Sequence, residues 1–353
     1  MSKIKKISSL ISQTLIILLI SLVLSEIAFR IYNKIRPSYI FYERIYNRFR
    51  GQPFAADYDG FKLNSRGFKD VEFPETKDEN TFRIVAIGDS FAYGVVPYQY
   101  NYLTRLEESL KKRGKPVEVL NMGLIGLAPR DYLSLLVNEG LELKPDQVLL
   151  SFFIGNDFLE NQLLEQRYGR ALYTYSYVAS FLKFLMDLNQ KYEEQIFSPT
   201  TVYIDDQETF TDEFYLKLAQ DRSWVYQEIN DFFVESFDDA MSYLVKIQEI
   251  CRRQNIELTI VIIPDELQVN RELQGRVIEI LGATPENFDF AQPNRMLAAE
   301  FNKRNINYID VLPDFQAMSS EVNLYKPNDS HWNIAGNKLA AEVIEKQLFD
   351  QIP

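Results

Sequence analysis

Arg83-Ile84-Val85-Ala86-Ile87-Gly88-Asp89-Ser90-Phe91-Ala92-Tyr93-Gly94 is a short apolar run that ends in Gly-Asp-Ser and leads into an amphipathic segment. The run is β-branched and too short for a helix, which predicts a buried strand. Gly88 allows a sharp turn at its end. Ser90 then falls at the start of the next helix, where unpaired N–H groups and the helix dipole favour negative charge. A serine there is placed to act as a nucleophile, and it needs a base. The chain offers one imidazole, His331, within Asn328-Asp329-Ser330-His331-Trp332-Asn333.

Outward from this stretch, strands alternate with helices. Strands are expected at 83–88, 117–121, 148–154, 258–263 and 307–311. Helices are expected at 100–113, ended by Gly114, and at 129–141, stopped by Gly140 and Pro145. Others are expected at about 224–254 and at 334–349. The alternation predicts an α/β fold, a three-layer α/β/α sandwich around a parallel sheet of about five strands. Residues 33–80 read as a lead-in with turns at Asp59-Gly60 and Arg66-Gly67. Residues 158–221 read as an insert rich in tyrosine, phenylalanine and leucine, a helical cap with its own small core. Its sharper reading is a lid or an acceptor-binding surface near the membrane.

The N-terminus differs from the rest. Lys3, Lys5 and Lys6 precede an apolar stretch long enough to span a bilayer as a helix. A cleaved signal peptide competes, with Val23-Leu24-Ser25 as a tolerable cleavage sequence. The stretch is long for that, so a single-pass anchor is preferred. The domain plan is a basic flank at 1–8, a transmembrane anchor at 9–32, the lead-in at 33–80 and the α/β domain at 81–353. Basic residues flank the span on both sides, so the positive-inside rule leaves its orientation open.

Composition narrows the function. Residues 1–50 carry nine Lys/Arg against two Asp/Glu, a balance of +7, so a total of −12 leaves −19 on the remainder. An acidic body without a basic patch does not attract nucleic acid. One cysteine, Cys251, permits no intrachain disulfide and no cysteine-based metal site. With one histidine and no clustered ligands, neither a metal nor a cofactor is expected.

In open parallel sheets, sites lie beyond the carboxyl ends of the strands. Gly88-Asp89-Ser90, Asn121-Met122-Gly123-Leu124-Ile125-Gly126 and Gly155-Asn156-Asp157 each follow an expected strand. Asp329-Ser330-His331-Trp332-Asn333 precedes the last helix. These motifs resemble the SGNH/GDSL hydrolase superfamily, over about residues 81–350. The lead-in Asn64-Ser65-Arg66-Gly67-Phe68 and the anchor end Ser25-Glu26-Ile27-Ala28-Phe29-Arg30 resemble a membrane-anchored bacterial branch of it.

The resemblance implies an SGNH/flavodoxin-like fold with Ser90 as nucleophile. It implies an oxyanion hole made by the N–H groups of Ser90 and Gly123 and the amide of Asn156. His331 would be the general base and then the acid. The family's usual Asp-x-x-His spacing is absent, because Asn328 stands three before His331 and Asp329 two before. The Asp-x-His-Trp pattern is similar to polysaccharide O-acetyltransferase-type SGNH domains. Asp329 is expected to orient the imidazole, with Asn328 or a backbone carbonyl as alternatives.

Each motif also has a plain reading. Ser90 could cap a helix, Asn156-Asp157 could be a turn, and His331 an ordinary side chain. Asp89 is expected to hold its loop, and Pro264-Asp265-Glu266 to be a solvated turn beside the site. The expected function is a membrane-anchored esterase or deacetylase acting through an acyl-serine. The expected substrate is an O-acylated carbohydrate or a lipid ester, in an extracytoplasmic domain. An O-acyltransferase using the same residues, a catalytically silent glycan-binding scaffold and a lipid-directed esterase are the alternatives.

Overall fold

The structure is a computed structural model that describes residues 2–35, 50–51, 53–74, 76–159, 176–187, 194–195 and 202–353. Part of the insert expected at 158–221, including Tyr173-Thr174-Tyr175, lies outside the described residues. The chain forms two compact units. One comprises Met1–Asn47 with Glu165–Lys191, the other Arg48–Leu164 with Tyr192–Pro353.

The first unit is built on α1 (Ser2–Ile35). Within it, Ser9–Asn33 has a mean hydropathy of 2.2 and is long and apolar enough to cross a membrane. A shorter helix, α5 (Tyr177–Asp187), packs against α1.

The main sheet of the second unit is made of five strands: β1 (Phe82–Ile87), β2 (Val117–Asn121), β3 (Gln147–Phe153), β4 (Glu257–Ile263) and β5 (Asn307–Asp310). They pair in the order β2-β1-β3-β4-β5, all parallel. In β1 and β3 nearly every residue is buried, as expected when helices cover both faces. Ile84, Ala86, Val119, Leu149, Val261 and Ile309 point to one side. There they meet Leu103, Leu106 and Leu110 of α3 (Tyr102–Lys112) and Ala340, Ile344 and Leu348 of α12 (Ile334–Leu348). On the other side, α7 (Asp231–Gln254) packs on β4 and on α4 (Pro129–Leu135). The strand order reverses direction at β1, with β2 on one side and β3 on the other. A crevice at the carboxyl ends therefore opens there.

Two helices differ from expectation. The helix expected at 129–141 is α-helical only to Leu135, and Leu136–Gly140 widens into a π-turn. Gly140 packs closely there: a Cβ on it would lie 3.5 Å from Val85 of β1. The helix expected from about 224 starts at Asp231. Asn230 caps it by accepting from Phe233 N–H at 2.9 Å, and a separate 3-10 turn occupies Ser223–Tyr226. The turns expected at Asp59-Gly60 and Arg66-Gly67 are present, with Gly60 and Gly67 at φ of 79° and 82°.

Candidate active site

β1 delivers Asp89 and Ser90 at its carboxyl end, where a single turn, α2 (Ser90–Tyr93), begins. Gly88 does not adopt a positive φ. A Cβ on it would lie 2.8 Å from the Ala92 Cβ and 2.9 Å from the Ser151 Cβ, so its role is close packing rather than a special turn. Asp89 caps α2 by accepting from Phe91 N–H at 2.9 Å. Capping therefore falls to Asp89, and the Ser90 hydroxyl serves another partner.

That partner is His331. Its Nε2 lies 2.7 Å from Ser90 Oγ, and its Nδ1 lies 2.5 Å from Asp329 Oδ1. The same carboxylate oxygen accepts from the His331 backbone N–H at 3.1 Å. Asn328 has a φ of 47°, a left-handed conformation that asparagine tolerates better than most residues. This tight turn brings an aspartate two residues before His331 onto its ring. The side chain on Nδ1 is thus that of Asp329, not Asn328. A carboxylate on Nδ1 fixes the tautomer that leaves the Nε2 lone pair facing the serine. Burial opposes ionisation of Asp329. The facing His331 and hydrogen bonds from His331 and Thr209 outweigh it and hold the carboxyl below its ordinary range.

The remaining expected residues lie beside this line. A Cβ on Gly123 would sit 2.2 Å from the Tyr93 nitrogen, so only glycine lets the loop after β2 press against α2. The Gly123 N–H donates to Asn121 Oδ1 at 2.8 Å, so one of the three expected oxyanion donors is already engaged. Asn156 hydrogen-bonds Asp89. Its amide has two hydrogens, so one can serve Asp89 while the other meets a ligand. The loop carrying Asn156 is held by Asp157, which accepts from Tyr132 Oη and Phe153 N–H, both at 2.9 Å. Asn156-Asp157 is therefore a braced turn.

Pro264-Asp265-Glu266 is not solvated. Asp265 caps α8 (Glu266–Val269), and both acids are buried, with Tyr226 Oη donating to Asp265 at 3.4 Å and Tyr215 Oη to Glu266. The segment packs under tyrosines from the long connection between β3 and β4, which no local pattern announces. Among the described residues, no group of three or more His, Cys, Asp or Glu is placed to hold a metal ion.

Two supports escape a reading of the sequence. The first is residues 202–210, which cross the loop that carries Asp329 and His331. Thr209 N–H donates to Pro327 O at 3.2 Å, Phe210 N–H to Asn328 O at 3.3 Å, and Ile334 N–H to Asp205 Oδ1 at 3.0 Å. The second is the lead-in. Lys69 is fully buried, pairs with Asp57, and donates to Gly94 O at 2.7 Å and Val96 O at 2.6 Å, just past α2. Its ammonium also lies 4.9 Å from the Tyr93 ring centre. Lys69→Met is expected to cost about 3–5 kcal/mol in denaturant unfolding, because Asp57 is left buried and unpaired. Replacing Asp57 with Asn in the same chain should restore much of the loss.

Three buried carboxyls set the pH response of this region. Burial pushes Asp70 up to about 7, against hydrogen bonds from Asn121 N–H and Tyr98 Oη. It pushes Glu266 up to about 7 and Asp89 up to about 6. The folded state therefore keeps protons that the unfolded chain releases near pH 4. Their stabilisation is complete below that value and is lost as pH rises through 6 to 7. Thermal unfolding should show a midpoint several degrees higher at pH 5.5 than at pH 7.5, and Asp70→Asn should narrow the gap.

Residues 222–352 match a family model described as ALGX, the SGNH hydrolase-like domain of acetyltransferase AlgX. No curated protein matches the chain. Among solved structures, a catalytic mutant of the acetylxylan esterase Axe2 from Geobacillus stearothermophilus is 12% identical. That match covers 78% of this chain and 96% of that one, with a TM-score of 0.42. The acetyl xylan esterase AlAXEase is 15% identical over 76% of this chain and 100% of its own, with a TM-score of 0.41. A GDSL-like lipase from Bacteroides thetaiotaomicron is 11% identical over 79% and 92%, with a TM-score of 0.39. Over residues 222–352 the chain is therefore similar to the SGNH hydrolase-like domain of AlgX-type acetyltransferases.

Proposed function

We propose that this chain is a membrane-anchored serine enzyme that cleaves O-acyl esters, chiefly O-acetyl esters of cell-envelope or exported carbohydrate. The observation that carries this reading is the line of hydrogen bonds from Ser90 Oγ through His331 to Asp329. Ser90 Oγ bonds to the acyl carbon while its proton passes to His331 Nε2. The carbonyl oxygen takes up negative charge facing the Ser90 N–H and the Asn156 amide, with Gly123 joining if it shares its bond to Asn121. The ester C–O bond then breaks and Nε2 returns the proton to the departing alcohol. Water, activated by the same imidazole, releases the acyl group.

Asn156→Ala is expected to lower turnover about 10²–10³-fold with little change in KM, since the amide serves the developing oxyanion. Steady-state rates on a short-chain activated ester measure this.

A second reading rests on the family match, whose description names an acetyltransferase. A sugar hydroxyl would replace water in the last step and leave with the acetyl group. Mass spectrometry of carbohydrate oligomers incubated with enzyme and an acetyl donor separates the two. Acetylated oligomer indicates transfer, and free acetate alone indicates hydrolysis. A serine-reactive phosphonate tests both against a silent scaffold. If the wild-type chain gives no adduct at Ser90, the enzymatic reading is withdrawn.

The apolar helix supports the anchor, and the carbohydrate reading favours an extracytoplasmic domain. A reporter fused after residue 353 tests that side.

A further inference from the structure

The membrane-capable segment Ser9–Asn33 contains one carboxylate, Glu26, and one cation, Arg30. The Glu26 carboxylate accepts from Arg30 Nε at 2.9 Å, from Ser176 Oγ at 2.9 Å, and from the backbone N–H groups of Tyr177 and Val178 at 3.1 and 3.0 Å. It therefore caps the first turn of α5, where unpaired N–H groups and the helix dipole favour an anion. Other residues on the same stripe of α1 follow. The Phe29 ring centre lies 4.9 Å from that of Phe181, and the Arg30 guanidinium lies 4.6 Å from the Tyr177 ring centre. Asn33 Nδ2 donates to Tyr177 Oη at 3.5 Å. Positions 26, 29, 30 and 33 share one helix face, so α5 is docked along the last two turns of the span.

Depth follows from the rise of a helix. Glu26 lies seven residues before Asn33, which is about 10 Å along the axis. The start of α5 is thus held within the thickness of the apolar span. With 11 residues, α5 is about 16 Å long, too short to cross a hydrocarbon core of about 30 Å. Away from its docked side, α5 leaves Leu182, Leu185 and Met186 exposed by 51%, 45% and 72%, at i, i+3 and i+4 spacing.

We propose that α5 is a second membrane contact, a short helix in the boundary between headgroups and acyl chains, with Leu182, Leu185 and Met186 facing lipid. The occupant of that face is the bilayer, because α5 is docked at the depth of the apolar span, where α1 also leaves Ile27 and Ile31 exposed by 50% and 56%. Lys183, the one cation of α5, has a stem long enough to reach the headgroups from this depth. The inference rests on α1 being an anchor.

The test uses the full-length chain in vesicles of phosphatidylcholine and phosphatidylglycerol. Leu19→Cys, Met186→Cys and Val202→Cys each receive a nitroxide, and Val202 is a solvent reference at 75% exposure. Cys251 is buried, so the native chain serves as the unlabelled control. The readout is accessibility to oxygen relative to a water-soluble nickel chelate. The expected result is a ratio several-fold above that of position 202 at both 19 and 186. A lipid-like ratio at 19 with a water-like ratio at 186 overturns the proposal and leaves the anchor intact. Water-like ratios at both positions remove the anchor, and the proposal with it.

Discussion

Ser90→Ala is expected to lower turnover of an activated short-chain ester by about 10⁶-fold, leaving KM close to the wild-type value. In the proposed mechanism the hydroxyl is the atom that forms the acyl bond, and nothing else at the end of β1 can replace it. Asp89 is occupied in capping α2, and the nearest other hydroxyl sequence neighbour of the imidazole, Ser330, is not its partner at Nε2. What remains comes from binding and from oxyanion donors, which still favour attack by water. The fold should be unaffected, because the side chain removed caps no helix and fills no core. Matched unfolding curves for the two proteins check that point. Retention of a tenth of the activity would require a different nucleophile.

Asp329→Asn is expected to cost about 10⁴-fold in kcat, by analogy with the effect of the same change in serine proteases. In the proposed mechanism the carboxylate does two things at Nδ1: it selects the tautomer with the lone pair on Nε2, and it stabilises the imidazolium that forms when Ser90 loses its proton. An amide can donate to Nδ1 instead, which moves the ring proton to Nε2 and turns the base into a donor. KM should change little, since neither tautomer contacts the ester in the ground state. Loss of activity below ten-fold would mean that the backbone, not Asp329, sets the ring. The two variants differ in a useful way: Ser90→Ala removes the phosphonate adduct altogether, whereas Asp329→Asn should only slow its formation.

The sheet was legible in the sequence because buried parallel strands are continuous apolar runs, and runs such as 117–121 and 258–263 carry that signal without help from distant residues. The meeting of Ser90 with His331 was legible for a simpler reason: a serine at a strand end needs a base, and the chain has one imidazole. The position of Asp329 depended on a left-handed turn at Asn328, which the spacing hinted at but did not fix. What escaped notice is non-local. Lys69 reads as a surface lysine in a polar lead-in, and its burial depends on Asp57 being brought beside it by the turns at Gly60 and Gly67. The strap at 202–210 joins the His331 loop through two main-chain hydrogen bonds and through Asp205 and Thr209, whose partners lie more than 110 residues away in the chain, so no local pattern marks it. Asp265 and Glu266 read as solvated for the same reason, since their tyrosine partners lie 39 and 51 residues away in the chain.

The Lys69 brace bears on where this chain can be cut. A fragment begun at Thr81 would keep every strand of the five-stranded sheet and every residue at the proposed site, yet it would lack the ammonium that occupies the Gly94 and Val96 carbonyls and the carboxylate of Asp70 that receives the Asn121 N–H. Those backbone groups would then face a cavity rather than a partner, directly behind the turn that carries Ser90. The smallest autonomous piece of the α/β unit therefore starts ahead of Asp57, and a shorter one should fail as a catalyst before it fails as a fold.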